Sequence, residues 1–138
     1  MSVIENDLNE DTYIGLELPL THNQNGFFNR TKTALQQAKS NIKFLLLTKK
    51  GERLGMPTFG SELFSVIFEQ EDDVESRLEE AIRSAISEWL PFIIIKDILI
   101  NFSSRNLVNV NIKFTLNIDT TSEAELNLDL SSYKDIFE

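Results

Sequence analysis

The chain has 138 residues, 41% hydrophobic and 25% charged, and its 22 acidic against 13 basic side chains leave a formal net charge of −9. That length suits one domain with a core of its own, and the acidic balance works against direct binding to nucleic acid or an anionic membrane, which need clustered Lys and Arg. The lack of cysteine excludes disulfides and thiolate metal sites, and the absence of a signal peptide or a bilayer-length apolar run predicts a protein made in a cytosol.

Residues 1–11 (MSVIENDLNED) are acidic without a hydrophobic period and read as a flexible tail, leaving 12–138 as a single domain. Tyr13 to Leu20 reads as an extended segment that Pro19 confines to an edge or a strand end. The polar run from Thr21 to Gly26 is a loop, and His22 within it reads as a solvated residue rather than a ligand or base. A first helix is expected from near Asn29 or Thr31 to about Thr48. Its apolar stripe is Leu35, Ala38, Ile42, Leu45 and Leu46, opposite Lys32, Gln36, Lys39 and Lys43.

Next comes a segment that neither helix nor strand carries in its interior: Lys49-Lys50-Gly51-Glu52-Arg53, then Gly55-Met56-Pro57-Thr58-Phe59-Gly60. Its basic residues follow a helix C-terminus, where the macrodipole favours positive charge. A short helix is expected over 61–68, with Ser61 as N-cap. A third opens at Glu71-Asp72-Asp73, Asp72 and Glu75 having capping-box spacing. It buries Val74, Leu78, Ala81, Ile82, Ala85 and Trp89, while Glu75, Glu79, Glu80, Arg83 and Glu88 face water, and Pro91 ends it.

Beyond Pro91 the hydrophobic period falls from 3.6 to 2. Phe92 to Phe102 is a strand apolar on both faces at its start, and Ser103 to Asn106 is a hairpin loop. Val108 to Ile118 alternates apolar with polar as a half-buried antiparallel strand. Asp119 to Glu123 is expected as a turn, and Ala124, Leu126, Leu128 and Leu130 as the inward side of a third strand. The fold class is therefore α+β: an N-terminal extended segment, about three helices, then a C-terminal antiparallel β-meander.

Catalytic patterns are thin. A glycoside hydrolase needs two carboxylates flanking a cleft, one held protonated, and Glu52, Glu62 and Glu69 near irregular backbone are the acids to weigh. Glu52, beside Arg53 and two lysines, is expected to stay ionised, which is wrong for a general acid. The glycines of GERLGMPTFG do not fit the spacing of a phosphate-binding or dinucleotide loop, one histidine does not make a triad, and no cofactor or metal is expected. A meander instead leaves strand edges. Those here are rich in Asn and Thr with few protective charges, so a partner strand can add to them unless the first strand or the C-terminal tail covers them.

Leu47-Thr48, Gly51-Glu52-Arg53, Pro57, Phe59-Gly60-Ser61, Leu63 and Phe68-Glu69, with Tyr13-Ile14-Gly15 and Pro19-Leu20 upstream, resemble the signature of the lysozyme-like baseplate wedge proteins of contractile phage tails. Similar components occur in type VI secretion and contractile bacteriocins. The likeness covers roughly residues 13–118. It implies a structural subunit of the virion's tail baseplate, assembled in the host cytoplasm. Such a subunit sits around the tail tube, held by wedge subunits in a helical core bundle, and its sheet takes up strands of the first sheath ring. The lysozyme label attached to this family does not establish activity. Where the family usually carries Glu-Pro-Arg, this chain has Leu90-Pro91-Phe92: Pro91 keeps the turn, but the charged contact is gone.

On this resemblance, the wedge contact is expected to be apolar, through Leu35, Ile42, Trp89, Leu90, Pro91 and Phe92. The spacing 31-35-38-42-45 is near a heptad seam for a partner helix. Sheath strand addition is expected along Asn109, Asn111, Lys113 and Thr115. A free assembly adaptor, absent from finished particles, is the remaining alternative.

Overall fold

A computed structural model of the chain describes residues 15–16, 30–31, 33–68, 73–103 and 107–130. Two short strands, β1 (Gly15–Leu16) and β2 (Arg30–Thr31), precede helices α1 (Ala34–Leu47), α2 (Leu63–Phe68) and α3 (Val74–Trp89). Strands β3 (Ile93–Ser103), β4 (Leu107–Leu116) and β5 (Asp119–Asp129) follow. The α+β order matches the change of period at Pro91. The expected acidic tail, His22, Glu69, Asp72, the centre of the β3–β4 loop and the last eight residues lie outside the described residues.

Helix α1 starts later than its periodicity suggests. Arg30 and Thr31 do not begin a helix but pair antiparallel with Leu16 and Gly15, so their backbone groups are already satisfied by a ladder. Thr33, in extended conformation, then caps the helix by accepting the Gln36 N–H at 3.2 Å. Ala38, Ile42, Leu45 and Leu46 are buried, and Leu35 packs half-buried against the same core. The stripe is therefore occupied by the chain's own sheet and helices. Ile42, expected at a wedge interface, has no exposed surface, and Thr31 lies in a strand, so the heptad-like seam is not an outer surface.

Helix α3 buries Leu78, Ile82, Ala85 and Ile86. Ile86, one position beyond the expected stripe, widens the apolar face toward β3. Asp73 occupies the N-cap position without a side-chain capping bond, one residue after the expected Asp72. Leu90 closes the helix, donating its N–H to Ile86 O at 2.8 Å, ahead of Pro91.

The main sheet has the order β3-β4-β5, all antiparallel. Val108, Val110, Ile112, Phe114 and Leu116 of β4 are buried with Leu126 and Leu128 of β5 and Ile93 and Ile98 of β3, and this is the face on which α1 and α3 pack. A bulge at Lys96 shifts the β3–β4 register between Ile95 and Asp97. The second turn is shorter than expected: Asn117 and Ile118 form it, and Asp119 already pairs with Leu116. The turn expected at Asp119–Glu123 is strand instead, with a register shift where Leu116 pairs with Asp119 and Thr115 with Glu123.

One correction concerns partner binding. β4 lies in the middle of the sheet and is paired on both sides, so Asn109, Asn111, Lys113 and Thr115 have no free backbone edge. The alternation that identified β4 as half-buried reports one covered face, and it carries no information on which strand is outermost. Thr115 is moreover fully buried.

Candidate functional site

The glycine- and proline-rich segment between α1 and α2 is a closed corner. Its two ends meet in a parallel bridge between Lys49 and Ser61, with Ser61 N–H donating to Thr48 O at 2.9 Å. The Ser61 hydroxyl, buried, donates to Leu46 O at 2.7 Å and accepts the Leu63 N–H at 3.4 Å. One side chain thus joins the last turn of α1 to the first of α2, a tie across the corner rather than the simple N-cap expected. Inside the corner, Gly51 N–H reaches Pro57 O at 2.8 Å and Phe59 N–H reaches Met56 O at 3.1 Å. Thr48 closes α1 with its hydroxyl on Phe44 O at 2.6 Å.

Gly60 is where the two chain segments touch. Its φ is +125°, and a Cβ there would lie 2.5 Å from Thr48 O and 2.9 Å from the Lys49 carbonyl carbon. No L side chain fits that conformation and that gap together. The motif residues Thr48, Gly51, Gly60 and Ser61 therefore serve the corner's backbone geometry.

Two more motif residues, Arg53 and Phe59, form an aromatic stack on it with Phe44 and Trp89. Phe59 is buried and meets Trp89 edge-on at 5.2 Å between centroids, with Phe44 tilted against it at 5.7 Å. The Arg53 guanidinium covers Phe59 at 4.7 Å and Phe44 at 5.8 Å from the ring centroids, close enough for cation–π attraction. The corner is thereby fastened to the end of α3, next to Leu90-Pro91-Phe92. Trp89 is half-buried, and its enclosed indole N–H has no hydrogen-bond partner among the described residues. Leu90 is half-buried, and Pro91 and Phe92 are exposed. The structure thus brings two sequence-predicted groups together, the family motif and the Trp89–Phe92 segment, while Ile42 is withdrawn into the core.

Several large apolar side chains in and beside the corner are exposed, among exposed Lys50, Glu52 and Arg53. Leu54 is 98% exposed at the tip of the corner, Phe44 is 48% exposed, and Met56 and Phe92 are 38% exposed each. Leu54, Met56 and Phe44 were not singled out by sequence reasoning as contact residues. The available signal was Leu54 and Met56 flanking Gly55 in a segment that cannot be helix or strand.

Of the acids weighed for hydrolysis, Glu69 lies outside the described residues, and Glu52 and Glu62 hold different partners. Glu52 is exposed and accepts the Lys49 N–H at 3.2 Å. Glu62 is ion-paired with Lys50 at 3.4 Å. An open cavity of about 250 Å³ between α2 and α3 is lined by Lys50, Ser61, Glu62, Val66, Arg77 and Glu80 among others, and Glu52 does not line it. Among the described residues, no three His, Cys, Asp or Glu side chains gather as a metal site.

The sheet has two outer strands, β3 and β5, and the ladder bonds fix which backbone groups point outward. Leu130 N–H donates to Val108 O, and Asn117 N–H to Phe92 O, both at 2.9 Å. In an antiparallel ladder these bonds alternate along each strand. Even-numbered residues of β4 therefore bond to β5 and odd-numbered ones to β3. It follows that Glu123, Glu125, Asn127 and Asp129 turn their N–H and C=O groups to the outer edge of β5, and Ile98, Ile100 and Phe102 turn theirs to the outer edge of β3.

The chain is similar to several solved structures. It is similar to a candidate tail lysozyme from Geobacter sulfurreducens at TM-score 0.61 and 20% identity, covering 72% of this chain and 91% of that one. It is similar to a chain of the anti-feeding prophage baseplate at TM-score 0.62 and 19% identity, covering 74% and 83% respectively. A third likeness is to a chain of the post-contraction pyocin R2 baseplate, at TM-score 0.54 and 17% identity over 75% and 97%. No curated protein sequence matches the chain. At these identities the structural likenesses speak for the fold. The family model described as Baseplate wedge protein gp25 matches residues 33–121, from the Thr33 cap through the motif corner and into β5. This match spans more than half of the sequence and includes every structural feature of the corner, so the chain belongs to the baseplate wedge protein gp25 family.

Proposed function

We propose that the protein is a structural, non-enzymatic subunit of a contractile-tail baseplate in the virion, beside the tail tube, that docks on wedge subunits through its motif corner and receives sheath protein at its sheet. The observation that carries this reading is the use made of the family motif. Its residues build a hydrogen-bonded corner that carries exposed Leu54 and Met56, with Phe44 and Phe92 exposed on the flanking segments. Exposed large apolar side chains held on a hydrogen-bonded backbone suit a protein–protein contact. With Leu90-Pro91-Phe92 in place of a charged turn, that contact is apolar, and Trp89, Leu90 and Phe92 contribute from the adjoining segment. Sheath strand addition belongs to an outer strand, β3 or β5, and not to β4.

The test is incorporation. Leu54→Asp leaves the fold intact, because the side chain contacts solvent, and it is expected to deplete the protein from purified tails measured by mass spectrometry. Unchanged incorporation overturns the corner as a wedge contact, and absence of the wild-type chain from finished tails favours the free adaptor. Purified protein is expected to show no cell-wall hydrolysis. Hydrolysis that is lost in Glu52→Gln or Glu62→Gln would instead restore the glycosidase reading.

A further inference from the structure

We infer that Arg53 is the polar centre of the corner's contact surface and that the partner docked there presents a single Asp or Glu carboxylate among apolar residues. This rests on the wedge-contact reading above and specifies the partner's chemistry at that site.

Arg53 is exposed, and its charge faces aromatic rings in place of an acid. Its Cζ lies 4.7 Å from the Phe59 centroid and 5.8 Å from the Phe44 centroid. Among the described residues no carboxylate pairs with it and no acceptor takes one of its N–H groups. A guanidinium carries its donors in a fixed fork that matches a carboxylate through two parallel bonds. The corner's own acids are committed elsewhere. Glu52, the neighbour in sequence, accepts the Lys49 N–H at 3.2 Å, and Glu62 pairs with Lys50 at 3.4 Å. Residues 48–60 thus hold three cations against one carboxylate, in a chain whose net charge is −9.

The position of Arg53 turns this free fork into a demand on the partner. Leu54 follows it in the chain and is almost wholly exposed, and Phe44, beside the guanidinium, is half-exposed. A surface that covers Leu54 and Phe44 covers Arg53 with them and strips water from its N–H groups. A cation taken out of water without a counter-charge opposes docking, and cation–π attraction to the rings offsets only part of that cost. Docking through the exposed apolar side chains therefore requires the partner to bring an acid to this point.

Charge also limits how many acids it brings. The whole chain repels a long acidic stretch or a polyphosphate backbone, so one carboxylate in apolar surroundings is what fits. Once covered, such a pair is screened little by salt.

The experiment replaces the wild-type chain with variants during tail assembly and measures their incorporation into purified tails by mass spectrometry. Arg53→Met keeps a long side chain over the rings and removes the charge, which separates a partner contact from mere shielding of Phe59 and Phe44 from water. It is expected to fold, as urea unfolding followed through Trp89 fluorescence can check, and to enter tails about tenfold or more less than wild type. Arg53→Gln takes its place if it does not fold. Arg53→Lys keeps the charge and is expected to enter better than Arg53→Met. Its amine also permits a zero-length carbodiimide cross-link, an amide formed only with a carboxylate in contact. In tails carrying Arg53→Lys, that cross-link is expected to join position 53 to an Asp or Glu of another subunit, flanked by apolar residues. Normal incorporation of Arg53→Met, incorporation of Arg53→Lys no better than that of Arg53→Met, or a cross-link that is missing or falls in an acidic run each overturns the inference. If Leu54→Asp is excluded from the same tails, the corner contact then stands without it. If Leu54→Asp enters normally, both fall together.

Discussion

Gly60 shows how a single residue sets the geometry of the corner. Its positive φ places it where side chains are strained, and the gap to Thr48 O leaves no space for a methyl group. Gly60→Ala is expected to lower stability by at least about 1–3 kcal/mol from backbone strain alone, measured by urea unfolding. Trp89 is the chain's one tryptophan and touches Phe59 next to Gly60, so its fluorescence reports the displaced corner directly. A second residue carries the response to acid. The Asp119 carboxyl is held down at about 2, against an ordinary 3.8, first by the Thr121 hydroxyl and then by the Ser122 hydroxyl and the Thr121 N–H. Its folded value lies below its unfolded one, so its contribution is complete above about pH 4 and fades as pH falls from there toward 2. Asp119→Asn is expected to flatten the pH dependence of stability in that window only, seen in parallel thermal melts. A wild-type-like slope there would detach Asp119 from the turn's stability.

Elements were legible in the sequence where a hydrophobic period repeated. The α3 stripe and the alternation of β4 and β5 follow from periods of 3.6 and 2, and the covered face of the sheet is the one they imply. The ends of elements were less legible. α1 began late because Arg30 and Thr31 found strand partners far off in sequence, a tertiary event that no local propensity encodes. The β4–β5 turn was misplaced because Ile118 continues the apolar alternation although the chain has already turned, leaving it 49% exposed. The two faces of the sheet give an element-scale test. Ile112→Ala removes a fully buried side chain and is expected to cost about 2–5 kcal/mol. Leu99→Ala, on the half-exposed outer face, is expected to stay within about 0.5 kcal/mol. Chemical denaturation measures both, and similar costs would mean that the outer face is covered as well.

At the scale of the whole molecule, two surfaces of different physics sit on one scaffold. Leu54, Met56, Phe44 and Phe92 are exposed apolar side chains in or beside the corner, while β5 exposes Glu123 and Glu125 in a chain of net charge −9. Salt separates them, since screening acts on exposed charges over about 10 Å at 0.1 M and hardly on apolar contact. Raising salt to 1 M is therefore expected to leave wedge binding unchanged or stronger, as pull-downs at matched concentrations can show. If the wedge contact weakens, the corner does not bind through its apolar surface.

By itself, the sequence determined the α+β class, the three helices and three-stranded meander, and the family motif, because periodicity and rare residues at fixed spacing are local properties of a chain. Which residues remain available to partners was decided only in three dimensions. Ile42 and Thr115 are enclosed, β4 is paired on both sides, and Leu54 stands clear of everything. Exposure and edge position depend on what lies beside a residue in space. Two positions with the same local pattern can thus end on opposite sides of that distinction once the sheet and helices have packed.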